Sequence, residues 1–153
     1  MCYTDSKNCS LLGYIDNDYE GSLDDYKSTS GYAFDLGTNL ISWEFKKQSI
    51  VSIYSAEAKY VAANSTTCQV VWLGRLLKYI SNIQKEPTPI YCDNNSTISL
   101  SKSHVFHNKR KHIDTRFHFI RELHNDDGIV ISFCGSKDKL ANIFTKTLGK
   151  NVF

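Results

Sequence analysis

The sequence predicts an α/β domain in which three successive antiparallel strands are followed by alternating helices and strands, giving a five-stranded mixed sheet flanked by helices. Three observations lead there. Period-two alternation recurs through the first 48 residues, three- and four-residue spacing of apolar side chains takes over at Ser55, and two short apolar runs, 89–93 and 129–135, are separated by a further helical pattern. At 153 residues, of which 41% are hydrophobic, the chain is long enough for one sizeable core and too short for two.

The first strand runs from Leu11 to Asp16, with Leu12, Tyr14 and Asp16 on one face and Leu11, Gly13 and Ile15 on the other. A polar loop, EGSLDDYKSTS, separates it from SGYAFDLG and LISWEFKKQ, which read as a hairpin turning at Gly37-Thr38-Asn39. The segment 55–80 places Ala58, Val61, Ser65, Cys68, Trp72, Leu76 and Tyr79 at helical spacing, which predicts an amphipathic helix burying that face, with Ser55 as its N-cap. Pro87 and Pro89 bound a break, and the apolar run 89–93 ends in Asp93, as a buried strand parallel to the first would. Asn94 suits the cap of a helix reaching about Lys102. Ile113, Phe117, Ile120 and His124 mark a further helix that stops before Asp126-Asp127-Gly128. Residues 129–135 form the last strand, and 136–148 a closing helix capped by Ser136. Residues 1–10 are then a linker, 11–148 the domain and 149–153 a tail.

No run approaches the roughly 20 apolar residues of a membrane span, and the N-terminus lacks the pattern of a secretory signal, so an intracellular address is expected. The five cysteines are odd in number and lack CxxC spacing, which argues against a disulfide framework and a cysteine-built zinc site. The net charge of +2 conceals an asymmetry: residues 1–57 hold nine acids against four Lys/Arg, the remainder seven against fourteen. An acidic cluster beside a basic surface suits a protein that gathers cations and holds a polyanion next to them; two ordinary solvated faces are the alternative.

Three acids occupy privileged places. Asp16 lies in the first strand, Glu57 in the first turn of the long helix, and Asp93 at the end of a strand, and ligands bind in the crevice outside the carboxyl ends of parallel strands. Gathered carboxylates repel one another unless a hard cation such as Mg²⁺ neutralises them.

Around these acids the segments GYIDNDYEG, STSGYAFDLGTNLISWEFKKQ, SAEAKYVAA, YCDNNSTISLSK, HNKRKHIDTRFHFIRE and LANIFTK follow in order. Together they resemble the ribonuclease H domain of copia-type retrotransposon Pol polyproteins, over about Leu11 to Leu148. The resemblance implies a ribonuclease H-like fold and hydrolysis of the RNA strand of RNA–DNA hybrids, with two Mg²⁺ ions, or Mn²⁺ as substitute, activating water and stabilising the leaving oxygen. It places the family's catalytic, metal-binding acids on Asp16, Glu57 and Asp93. The fourth acid falls on Asn142, where an amide oxygen can coordinate but lacks full charge, which implies impaired, metal-dependent activity. Asp138, one helical turn before it, and Asp18 are candidate substitute charges. Lys59 stands where the family usually has a second Glu, and Asn17, Tyr19 and Glu20 also depart from the usual loop.

All five histidines, His104, His107, His112, His118 and His124, lie among Lys109, Arg110, Lys111, Arg116 and Arg121. Their gaps match no common zinc template, and the segment reads instead as a phosphate-contacting surface, with a solvated basic face as the alternative. The substrate-binding candidates are Asn94, Asn95, Lys109, Arg110, Arg116 and Arg121; Asn94 and Asn95 are placed to bond a 2′-hydroxyl, although capping explains Asn94 equally well. No small-molecule cofactor and no membrane partner is expected. In an intact element the domain would be covalently attached to a reverse transcriptase, in the cytoplasm or in virus-like particles. Two readings follow: an active hybrid-specific endoribonuclease, or a remnant that keeps the fold and nucleic-acid binding without turnover.

Overall fold

A computed structural model describes residues 9–18, 26–49, 51, 55–93, 95, 98–99, 111–126 and 128–135. Five strands, β1 (Leu11–Asp18), β2 (Thr29–Leu36), β3 (Asn39–Lys47), β4 (Thr88–Cys92) and β5 (Ile129–Phe133), form one sheet in the order β3-β2-β1-β4-β5. The first three pair antiparallel, while β4 joins β1 and β5 joins β4 in parallel, as the sequence predicts. Two helices are described in full, α1 (Ser55–Tyr79) and α2 (Lys111–Asn125), and helical backbone recurs at Asn95 and at Ile98 and Ser99. The closing helix expected over 136–148, and with it Asp138 and Asn142, lies outside the described residues.

The hairpin turn is tighter than its sequence suggests. Asn39 already pairs with Leu36, leaving only Gly37 and Thr38 to turn the chain, and Gly37 supplies the positive φ of 67° that a two-residue hairpin turn demands at its first position. At the start of β1 the Gln84 carboxamide acts as a clamp, accepting from Leu11 N–H and donating to the Cys9 carbonyl.

Leu11, Ile15, Phe34, Ile90, Ile120, Ile129 and Ile131 are fully buried and join the sheet to both helices. Helix α1 packs on β1, β2 and α2, but it does so with a different face from the one its apolar spacing indicates. Of the expected face Ala58 is buried and Val61 half-buried, but Ser65, Cys68, Trp72, Leu76 and Tyr79 are exposed, whereas Ala62, Ala63, Thr66, Thr67, Val70, Leu73 and Leu77 are buried. The physical reason lies in the two threonines. Thr66 Oγ1 donates to the Ala62 carbonyl at 2.8 Å and Thr67 Oγ1 to the Ala63 carbonyl at 2.7 Å, so both hydroxyls are satisfied within the helix and their methyl groups pack as apolar surface. Among the described residues no helix is long and apolar enough to cross a membrane.

Candidate active site

The parallel pairing of β1 with β4 sets the geometry of the site. Gly13 lies opposite Ile90 and Tyr14 opposite Tyr91, so continuing that register brings Asp16 level with Asp93, just past the end of β4. Alternation along β1 turns Asp16 to the face opposite Ile15, yet at the carboxyl end of the sheet it is still only 2% exposed. Burying a carboxylate in this way is costly unless polar or ionic groups compensate it.

Asp16 and Asp93 line one pocket together with Ile15, Cys92, Ala62 and Lys59. The last two side chains come from α1. Lys59 Nζ donates to Asp93 Oδ1 at 2.5 Å, with the two side chains 18% and 9% exposed. Glu57 sits half-buried in the first turn of the same helix and is not part of this lining. Two positions along a helix is more than half a turn, so Glu57 and Lys59 cannot address one point in the same way. The structure therefore brings Asp16 and Asp93 together with Lys59; among the described residues no group of three His, Cys, Asp or Glu side chains stands ready to hold a metal.

Hard carboxylate oxygens fit a divalent cation such as Mg²⁺ or Mn²⁺, and the pocket already draws positive charge in the form of the Lys59 ammonium. The start of α1 is held by Gln48, which lies just beyond β3 and is almost wholly buried. Its Nε2 donates to the Ala58 carbonyl at 2.8 Å and to Ser30 Oγ at 2.7 Å, tying the hairpin to the turn that carries Glu57 and Lys59. Sequence reasoning passed over Gln48, although a carboxamide closing an alternating strand within a recognised motif is a signal that it bonds inward.

The remaining candidates are placed unevenly. Asn95 is exposed, whereas Asn94, Lys109 and Arg110, and the side chain of Arg116, lie outside the described residues. Arg121 is half-buried, and among the described residues its Nε, shielded from solvent, has no hydrogen-bond partner. Its charge faces Tyr60, whose hydroxyl is pushed well above the ordinary tyrosine range by burial, with Arg121 opposing that shift. His118 is exposed, while His124 donates through Nδ1 to the Ile129 carbonyl, which ties α2 to β5. His104 and His107 and the side chain of His112 lie outside the described residues, as do the side chain of Asp18 and the loop residues Tyr19 and Glu20.

No family model matches the chain. It is 38% identical, over 94% of its length, to the retrovirus-related Pol polyprotein from transposon TNT 1-94 of Nicotiana tabacum, and it spans about a tenth of the length of the curated relatives it matches. Among solved structures, the N-terminal RNase H domain of a Mycobacterium tuberculosis protein, fused to maltose-binding protein, superposes with a TM-score of 0.65 at 8% identity, covering 90% of this chain and 91% of that one. LC11-RNase H1 in complex with an RNA/DNA hybrid gives 0.62 at 12% identity, covering 88% and 93%.

Proposed function

Because this chain is a homologue of the retrovirus-related Pol polyproteins of plant transposons and has the fold of solved RNase H domains, we propose that it hydrolyses the RNA strand of RNA–DNA hybrids. The observation that carries the proposal is the meeting of Asp16 and Asp93 in one pocket at the carboxyl ends of two adjacent parallel strands. When bound, divalent ions supply Lewis-acid activation of water and of the leaving oxygen.

Asp16 and Asp93 would hold that charge through their oxygens, with Glu57 recruited from the first turn of α1 and Asn142 offering a neutral amide oxygen. Gln48 fixes the helix start that carries Glu57. The exposed Asn95 beside Asp93, with Asn94, would meet the 2′-hydroxyl side of the hybrid. Lys109, Arg110 and Arg116 would neutralise its backbone phosphates. The half-buried Arg121 suits a structural task against Tyr60 better than a phosphate contact. In an intact element of the copia type, the covalent partner would be a reverse transcriptase, in the cytoplasm or in a particle.

A second reading, hybrid binding without turnover, is favoured by the amide at Asn142 and by the cation already seated on Asp93. Cleavage of a labelled RNA–DNA hybrid in Mg²⁺ and in Mn²⁺ decides between them. Activity above that of Asp16→Asn is expected, weak at low Mg²⁺ and raised by Asn142→Asp. No cleavage above the Asp16→Asn control in either metal would refute the enzyme, and an unchanged rate in Asn142→Asp would clear the amide of blame.

A further inference from the structure

We propose that Lys59 is a built-in counter-ion of the acidic pocket, whose ammonium must leave Asp93 before a divalent cation can bind there, so that this one side chain sets the metal concentration the site requires. The inference rests on the reading of Asp16 and Asp93 as metal ligands.

Three observations support it. The ammonium contacts Asp93 Oδ1 directly, and Lys59 lines the same pocket as Asp16, so one positive charge shares that pocket with two carboxylates. The pair is shielded, with the lysine side chain 18% and the aspartate side chain 9% exposed, and shielded ion pairs resist screening by salt. The ammonium already occupies Asp93 Oδ1 at hydrogen-bonding distance, so a divalent ion that binds this same oxygen has to displace it. Occupancy is thus exclusive. A long flexible stem lets the head swing out to solvent, which makes the exchange reversible.

Direct titration of Mn²⁺ into the purified full chain, followed by calorimetry and by the metal-induced rise in melting temperature, tests the exchange without reference to turnover. Lys59→Met keeps the apolar stem and deletes the charge; removing a unit charge this close to the ligands should tighten Mn²⁺ binding by roughly tenfold or more. Lys59→Arg keeps the charge and should bind no more tightly than the parent. Lys46→Met, on the exposed part of β3, removes a lysine outside the pocket and should leave the affinity within about twofold, separating local competition from net charge. If Asp16→Asn abolishes binding and Lys59→Met equals the parent, the counter-ion role is overturned while the metal site stands. Should the parent and Lys59→Met bind no better than Asp16→Asn, the metal site itself is refuted and the counter-ion role with it. If Lys59→Met does not fold, Lys59→Gln gives the same comparison with a polar head.

Discussion

Replacing Gly13 by alanine would drive a methyl group into the centre of the sheet. A Cβ at this position stands 2.7 Å from Phe34 Cε1, 3.3 Å from Phe34 Cδ1 and 3.5 Å from Ile90 Cγ1. Comfortable carbon contacts lie at about 3.5–4.0 Å, so the ring must retreat by close to an ångström. It has nowhere to go: Phe34 is fully buried and its ring stands 5.5 Å, centroid to centroid, from that of Tyr32. Overpacking of this kind costs about 1–3 kcal/mol. For a chain of this size that corresponds to a melting temperature lower by roughly 3–10 °C.

Thermal and urea denaturation of Gly13→Ala measure the loss, and a second background isolates its cause. Phe34→Leu removes Cε1, the ring carbon that the methyl would strike hardest, at the cost of a cavity. In that background Gly13→Ala should cost no more than about 0.5 kcal/mol, because the methyl enters vacated space, so the double variant should lose less stability than the two single changes summed. A Gly13→Ala protein that melts within a degree of the parent, or one that loses as much in the Phe34→Leu background, would refute the steric reasoning. The same displacement reaches the site, since Asp16 lies three residues along β1 from Gly13.

Two further perturbations probe the frame around the pocket. Gln48→Leu removes both side-chain hydrogen bonds that anchor the start of α1 and should cost about 1–3 kcal/mol; hydrogen exchange in the first turn of α1 should quicken more than at Leu73 or Leu77, and uniform quickening would show that Gln48 does not hold that turn. Asp35 is half-buried on β2 and its carboxyl is raised above the ordinary range by burial, so the fold favours its protonated form. Such a group contributes stability below its unfolded pKa, about 3.9, and loses that contribution as pH rises through the higher folded value. Asp35→Asn should therefore raise the urea midpoint at pH 7 and leave it unchanged at pH 3; equal gains at both would refute the burial argument.

Much of the architecture was legible because local signals and the sheet agree. The hairpin could be read from alternation broken at a glycine, and the parallel strands from short apolar runs separated by helices. Asp16 and Asp93 were legible for a related reason: a carboxylate at the end of a buried strand sits where a sheet can present it. The rotational setting of α1 was not legible. Two candidate stripes ran along the same helix, and apolar character alone favours the one through Trp72, Leu76 and Tyr79. The side chains that decide the matter, Thr66 and Thr67, count as polar in any pattern and become apolar only once their hydroxyls bond back to Ala62 and Ala63.

That one rotation carries through to the chemistry. The buried stripe of α1 runs through Ala63, Thr66, Val70, Leu73 and Leu77, at steps of three and four. Extended back by four residues it begins at Lys59, so the lysine is the first member of the face that packs on the sheet. Because the helix starts where the strands end, that first member projects past the apolar layer and meets Asp93 instead of a hydrophobic neighbour. On the stripe suggested by the apolar residues, Lys59 would have faced away from the acids and passed for an ordinary solvated charge. The rotation that threonine back-bonding permits is thus what places a cation among the carboxylates. On the proposed reading of the pocket as a metal site, its affinity for a divalent cation would then depend on the packing of α1 as well as on the acids themselves.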